Sequence, residues 1–203
     1  MFSGIVEAVS EIQKAQAHDQ VIRIWVARPS SFDDLKTGDS VSTNGVCLTV
    51  ESLTDSEVVF ALAPETLKVL GLNHSHTEAL VGSPLNLERS LRFGDRIHGH
   101  IVSGHVEGQG QILQSEALGE SWVLKVSLPK ELRKYVWKKG SIGLHGVSLT
   151  VNEVDEASFS VCLIPETIKR TNLAALPVGS ALNLEPDYMA KAVQHAIEMR
   201  GLT

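Results

Sequence analysis

The chain has 203 residues, 43% of them hydrophobic and 21% charged, with a net charge of −6. That composition fits one large or two small soluble domains with packed cores. Arg133, Lys134, Lys138 and Lys139 form a short basic cluster within a net acidic chain, which argues against a nucleic-acid partner held through its phosphates.

Two cysteines, Cys47 and Cys162, are too few for a disulfide framework and are read as thiols of a reducing compartment. No Cys/His spacing matches a zinc site. The opening MFSGIVEAVSEIQKAQ lacks the basic start and apolar stretch of a signal peptide. No run of about 18 apolar residues is present, so no membrane partner is expected. A cytoplasmic protein is the default.

In chain order, SGIVE at 3–7 returns as SGHVE at 103–107. GVCLTV at 45–50 returns as GVSLTV at 146–151, PETLK at 64–68 as PETIK at 165–169, and VGSPLNLE ending at Glu88 as VGSALNLE ending at Glu185. The matches keep their order, so the chain is an internal duplication. The first unit runs over 1–96 and the second over 97–187. Two copies are too few for a solenoid and predict two similar domains related by a pseudo-twofold axis.

Each unit reads as β-structure. Residues 46–53 and 147–154 are β-rich runs, each entered through a turn at Asn44-Gly45 or His145-Gly146. Residues 57–62 and 158–164 are further strands. Short strands punctuated by Gly38, Gly82, Gly140 and Gly179 favour a small closed barrel in each unit. Two helices stand out. The spacing predicts one over 129–138, opened by Pro129 and stopped before Gly140. A second, over 187–199, puts Met189, Ala192, Val193, Ala196 and Ile197 on one face. That stripe fits either packing on its own barrel or bundling with copies from other subunits.

The repeated blocks carry polar residues where a scaffold needs only apolar ones. Thr49 matches Thr150, and Thr66 matches Thr167. β-propensity accounts for the first pair and helix capping or turn bonding for the second; hydrogen bonding to a ligand accounts for both. The halves diverge where Cys47 faces Ser148 and Ile5 faces His105. Cys47 taken alone is a small buried hydrophobe, and His105 taken alone is structural. At paired positions they become two similar pockets of different reactivity. His98, His100 and His105 have no common ligand spacing, so no metal is expected. The stretch GHIVSGHVEGQG at 99–110 lacks the ending of a phosphate loop.

MFSGIVE, GDSVSTNGVCLTV, NLERS, HGHIVSGHVEG, KKGSIGLHGVSLTV and LIPETIKRTNL together resemble riboflavin synthase, in order and over nearly the whole chain. The resemblance implies an all-β fold of two six-stranded Greek-key β-barrels with a C-terminal helix over 188–203. It implies a homotrimer with those helices at its centre and active sites between subunits, and allows association with lumazine synthase. It implies a transferase that needs no cofactor. Two 6,7-dimethyl-8-ribityllumazine molecules dismutate to riboflavin and 5-amino-6-ribitylaminouracil by transfer of a four-carbon unit.

By motif, the implied substrate contacts of the first unit are Gly4, Ile5, Val6, Cys47, Leu48, Thr49, Ala61, Leu62, Ala63, Pro64, Glu65 and Thr66. Those of the second are Gly104, His105, Val106, Lys139, Ser148, Leu149, Thr150, Cys162, Leu163, Ile164, Pro165, Glu166 and Thr167. Phe2 matches an N-terminal aromatic residue important to the family. Cys47, His105, Ser148, Thr150, Lys139 and Phe2 are the implied catalytic set. His105 is hypothesised to assist proton removal from the C7 methyl group, and full turnover by His105→Gln would reject that role. Cys47 and Ser148 are hypothesised to orient the ring or add to it; full activity of Cys47→Ser would exclude thiol chemistry. Ser3 stands where the family has Thr, and His145 where some members have Asp or Asn. The rival readings are a lumazine carrier without turnover, separable by one ligand per subunit instead of two, and a structural oligomer that binds no lumazine.

Overall fold

The computed structural model describes residues 1–201. Strands β1 Ala8–His18, β2 Val21–Ala27, β3 Ser40–Thr43, β4 Val46–Leu53, β5 Glu57–Leu62 and β6 Pro84–Arg89 close into one antiparallel barrel in the order β1-β2-β5-β4-β3-β6. Strands β7 Gly108–Leu118, β8 Ser121–Ser127, β9 Ser141–Leu144, β10 Val147–Val154, β11 Ser158–Leu163 and β12 Ala181–Pro186 close a second barrel in the same order. The fold is all-β, two six-stranded barrels from one duplicated sequence, with a C-terminal helix. Residues 202 and 203 of the segment expected over 188–203 lie outside the described residues.

The strands form where the apolar residues alternate. In β2, Ile22, Ile24 and Val26 point inward and meet Phe60 and Leu62 of β5; in β8 and β11, Leu124, Val126, Phe159, Val161 and Leu163 do the same. Each such side chain contributes about 1.5–3 kcal/mol on burial. Closure leaves no free sheet edge.

The predicted turns are two-residue hairpins with positive φ at both central positions: Asn44 at 45° and Gly45 at 84°, His145 at 51° and Gly146 at 80°. They meet back to back, because a Cβ on Gly45 would stand 2.7 Å from the Gly146 nitrogen. His145 repeats the bond that Asn44 makes. Asn44 Oδ1 accepts the Asn86 N–H at 2.7 Å, and His145 Nδ1 accepts the Asn183 N–H at 2.8 Å. An acceptor Nδ1 is unprotonated, and burial holds the His145 imidazole down at about 4.

The segments leading into the barrels cross over. Phe2 and Val102, both fully buried, exchange backbone hydrogen bonds of 2.8 and 3.1 Å. Beyond that point Val6 packs into the core of the second barrel, and Val106 packs against the core of the first. Each barrel is thus covered by the segment that precedes the other.

The helix predicted over 129–138 is a 3₁₀ helix confined to Lys130–Tyr135. Leu132 and Val136 are buried and bond three residues back, to Pro129 and Arg133. Extended backbone at Val136 and left-handed backbone at Lys139 then stop it. The repeated PETLK and PETIK open the short helices α1 Pro64–Val69 and, beyond α2 Thr77–Leu80, α3 Pro165–Arg170. Their caps are Ala63 and Ile164, so Thr66 and Thr167 do not cap. Helix α4, Tyr188–Met199, is capped by the Asp187 side chain, which accepts the Met189 N–H at 2.8 Å. It meets its own barrel through Lys191 with Glu107 and Lys134 with Glu198. Its apolar stripe faces away, with Met189 58% and Val193 57% exposed.

Two crossed patches form the candidate active site

In β4, Val46, Leu48 and Val50 fill the barrel while Cys47 and Thr49 point out; in β5, Ala61 points out between Phe60 and Leu62. The segment laid over this face is Gly104-His105-Val106, and its Gly104 carbonyl accepts the Cys47 N–H at 2.8 Å. The approach is close enough that a Cβ on Gly104 would stand 2.5 Å from the Cys47 Cβ, and φ is +82° there. His105 is exposed beside it.

The second barrel repeats the arrangement with Ser148, Thr150 and Cys162 pointing out of β10 and β11. Here the covering segment is Gly4-Ile5-Val6. Its Gly4 carbonyl accepts the Ser148 N–H at 2.8 Å, and a Cβ on Gly4 would stand 2.6 Å from the Ser148 Cβ. Sequence motifs group Gly4 with Cys47 and Gly104 with Ser148; the fold pairs them the other way. The motif grouping follows chain order, whereas the crossing is set by how the two barrels dock.

A buried carboxylate anchors the root of each covering segment. Glu88 accepts the Ser3 N–H at 2.7 Å, the Ser3 hydroxyl at 2.9 Å and the Gly4 N–H at 3.0 Å. Glu185 does the same for Ser103 at 2.6 and 2.7 Å and for Gly104 at 2.9 Å. Burial pushes the Glu88 carboxyl up to about 7 against these donors, and Glu185 is raised for the same reason. Ser3 therefore keeps the hydroxyl contact expected of a Thr at that place.

Other motif residues sit less directly. Leu48, Leu62, Leu149 and Leu163 point into the cores, so only their backbones can face a ligand. Phe2 is fully buried, where it can set the covering segments but touch no ligand. Ala63, Pro64, Glu65, Ile164, Pro165 and Glu166 are exposed at the starts of α1 and α3, with Thr66 and Thr167 half-buried just inside. Lys139 is exposed and has no ion pair among the described residues. It occupies the repeat position of Gly38 in the same left-handed backbone, φ 68° against 92°, and its N–H bonds Val151 as that of Gly38 bonds Val50.

Two contacts have no signal in the sequence, where His100 figures only among histidines weighed as metal ligands. His100 Nδ1 lies 2.6 Å from Ser148 Oγ; it falls outside the repeated blocks, so comparing the halves cannot flag it. Arg23 and Glu51 pair at 2.7 Å on the outer face of the first barrel, where the second carries Val123 and Asn152 at the matching positions. A cleft adjoins the second patch through Ile5, which lines it. It lies between Ser31–Ser40 and the linker Ser90–His98 and is crossed by ion pairs of Arg89 with Glu7 and Asp34. Neither Cys47 nor Ser148 lines it.

The Lumazine binding domain model matches residues 3–90 and again 103–187. The chain is 38% identical to riboflavin synthase of Escherichia coli (strain K12), covering 98% of this chain and 92% of the relative. It is 37% identical to riboflavin synthase of Actinobacillus pleuropneumoniae, covering 96% and 88%. Among solved structures, LumP complexed with riboflavin superposes with a TM-score of 0.81 at 24% identity, over 92% of this chain and 99% of that one; this likeness concerns the fold. Two lumazine-binding domains in tandem, with full-length relatives of one name, mean that this chain belongs to the riboflavin synthase family.

Proposed function

We infer that the protein is a riboflavin synthase. It converts two molecules of 6,7-dimethyl-8-ribityllumazine into riboflavin and 5-amino-6-ribitylaminouracil by four-carbon transfer. The observation that carries the reading is the pair of equivalent but unequal patches. Two identical substrates call for two similar sites, and a donor and an acceptor call for different groups in them. Cys47 with His105 on one barrel and Ser148 with Lys139 on the other supply that difference.

The residues act by binding and orienting. Backbone groups of β4 and β10 and the hydroxyls of Thr49 and Thr150 offer hydrogen bonds to the heteroaromatic rings. Holding two rings in register supplies on the order of 7–11 kcal/mol of the barrier reduction. His105, exposed beside Cys47, is the candidate for moving the C7 methyl proton. Cys47 orients the ring at its own patch. No external cofactor is required, because the lumazine ring itself is the electron sink.

The active unit is proposed to be a homotrimer in which the open patch of one subunit meets the complementary patch of the next. The outward apolar stripe of α4 supports this, since its own barrel leaves that stripe bare. The proposed domains are 1–96, 97–187 and the C-terminal segment 188–203, which contains α4. A cytoplasmic location and association with lumazine synthase belong to the same proposal.

The test is incubation of the purified protein with 6,7-dimethyl-8-ribityllumazine alone. One riboflavin formed per two lumazines consumed supports the synthase. Tight binding without turnover would leave a carrier.

A further inference from the structure

We propose that His100 is a positioning residue that donates its Nδ1–H to Ser148 Oγ, leaving the Ser148 hydroxyl proton for an acceptor atom of the lumazine on the second barrel. The inference deepens the synthase reading and rests on it.

The two ring nitrogens of His100 sit in different surroundings. Nδ1 is 2.6 Å from Ser148 Oγ. Nε2 is buried and has no hydrogen-bond partner among the described residues. A neutral imidazole carries one N–H, and burial keeps the ring on the neutral side despite the charge of Asp187. If that hydrogen were on Nε2, a buried donor would be stranded without a partner. With the hydrogen on Nδ1, only a lone pair goes unmatched, which buried structure tolerates better than an orphaned N–H. The second arrangement is therefore the stable one.

Its consequence for Ser148 is chemical. A serine whose proton is taken by a histidine is an activated nucleophile. Here the histidine fills a lone pair of the oxygen instead, so Ser148 serves as an oriented donor and nothing accepts its proton except the ligand. The contact is enforced by the backbone. The His100 N–H bonds the Ser3 carbonyl at 3.2 Å, and a Cβ on Gly99 would stand 2.6 Å from the Ser148 Cβ. Cys47, the repeat partner of Ser148, has no side-chain hydrogen-bond partner among the described residues. The second patch thus holds its lumazine through a fixed donor and the first through an unfixed thiol.

The decisive experiment is ¹⁵N-resolved NMR of the imidazole nitrogens in the wild-type protein. The proposal requires the Nδ1–H tautomer for His100; the Nε2–H tautomer overturns it. Kinetics supply the second arm. His100→Asn, which can place an N–H where Nδ1 was, should keep turnover within about threefold, whereas His100→Leu should lose about tenfold or more. Ser148→Ala should lose a similar factor, and the double variant no more than either single one. Equal turnover of His100→Leu and wild type, or fully additive losses, would overturn the proposal. Wild-type protein that makes no riboflavin would sink the synthase reading instead, while the tautomer measurement would still decide the hydrogen bond.

Discussion

The two barrels share one strand order and one set of anchoring bonds, yet their outer faces are chemically different. The first presents Cys47, Thr49 and Ala61, with His105 laid over them and the Arg23–Glu51 pair at its border. The second presents Ser148, Thr150 and Cys162, with Ile5 laid over them, His100 behind Ser148 and Lys139 nearby. Duplication fixed the framework, because the Ser-Gly root, its carboxylate anchor and the hairpin turn serve any barrel of this kind. The faces were free to diverge because their residues point away from both cores. Crossing of the covering segments makes each face depend on sequence from the opposite half.

The largest effects should come from uncoupling one face from its cover. Gly4→Ala would force a Cβ against Ser148 and Gly104→Ala one against Cys47, each at a positive φ. Each substitution should cost about 1–3 kcal/mol of stability. Lumazine titration should show Gly4→Ala damaging the second patch and Gly104→Ala the first. If both damaged the same patch, the crossing would be wrong.

Of comparable size is a pH effect at the hairpin where the halves are not identical. The His145 imidazole is held at about 4, below its ordinary value near 6.5. Its contribution is therefore present above pH 6.5 and is lost as pH falls toward 4, where protonation removes the acceptor for the Asn183 N–H. The loss amounts to about 3 kcal/mol. Glu88 and Glu185 run the opposite way: their raised values give stability that is present at low pH and lost as pH rises, through about 7 for Glu88. The difference between wild type and His145→Asn in urea unfolding isolates the histidine, because the substituted asparagine reproduces the Asn44 arrangement without a titrating group. That difference should grow on acidification from pH 7 to 4.5. A pH-independent difference would reject it.

The smallest effect concerns Lys139. Replacing this left-handed lysine by Gly, as at Gly38, should raise stability by up to about 1 kcal/mol in thermal unfolding. Turnover should fall, because the second face loses its cation. Unchanged turnover would remove Lys139 from the proposed site.

Much of this is legible in the sequence because it is local or repeated. Asn44-Gly45 and His145-Gly146 announce their hairpins, the short apolar run EVVFAL between turn signals gives a strand, and the repeated blocks give two barrels. The helix expected over 129–138 is longer than the one that forms, since Pro129 and Gly140 mark its limits but not its hydrogen bonding, which the burial of Leu132 and Val136 settles as 3₁₀. The crossing of Gly4 and Gly104 has no local signature, as it depends on how two finished barrels dock. The His100–Ser148 contact is hidden for a related reason: the two residues are distant in sequence, and no second copy marks the pair.

On this structure, two crossed faces each hold one lumazine. Rapid-mixing titration with 6,7-dimethyl-8-ribityllumazine, read before turnover, tests it most directly. The wild type should bind two ligands per chain and each of Gly4→Ala and Gly104→Ala one, with folded protein in every case. A single ligand per wild-type chain, lost in both variants, would contradict it.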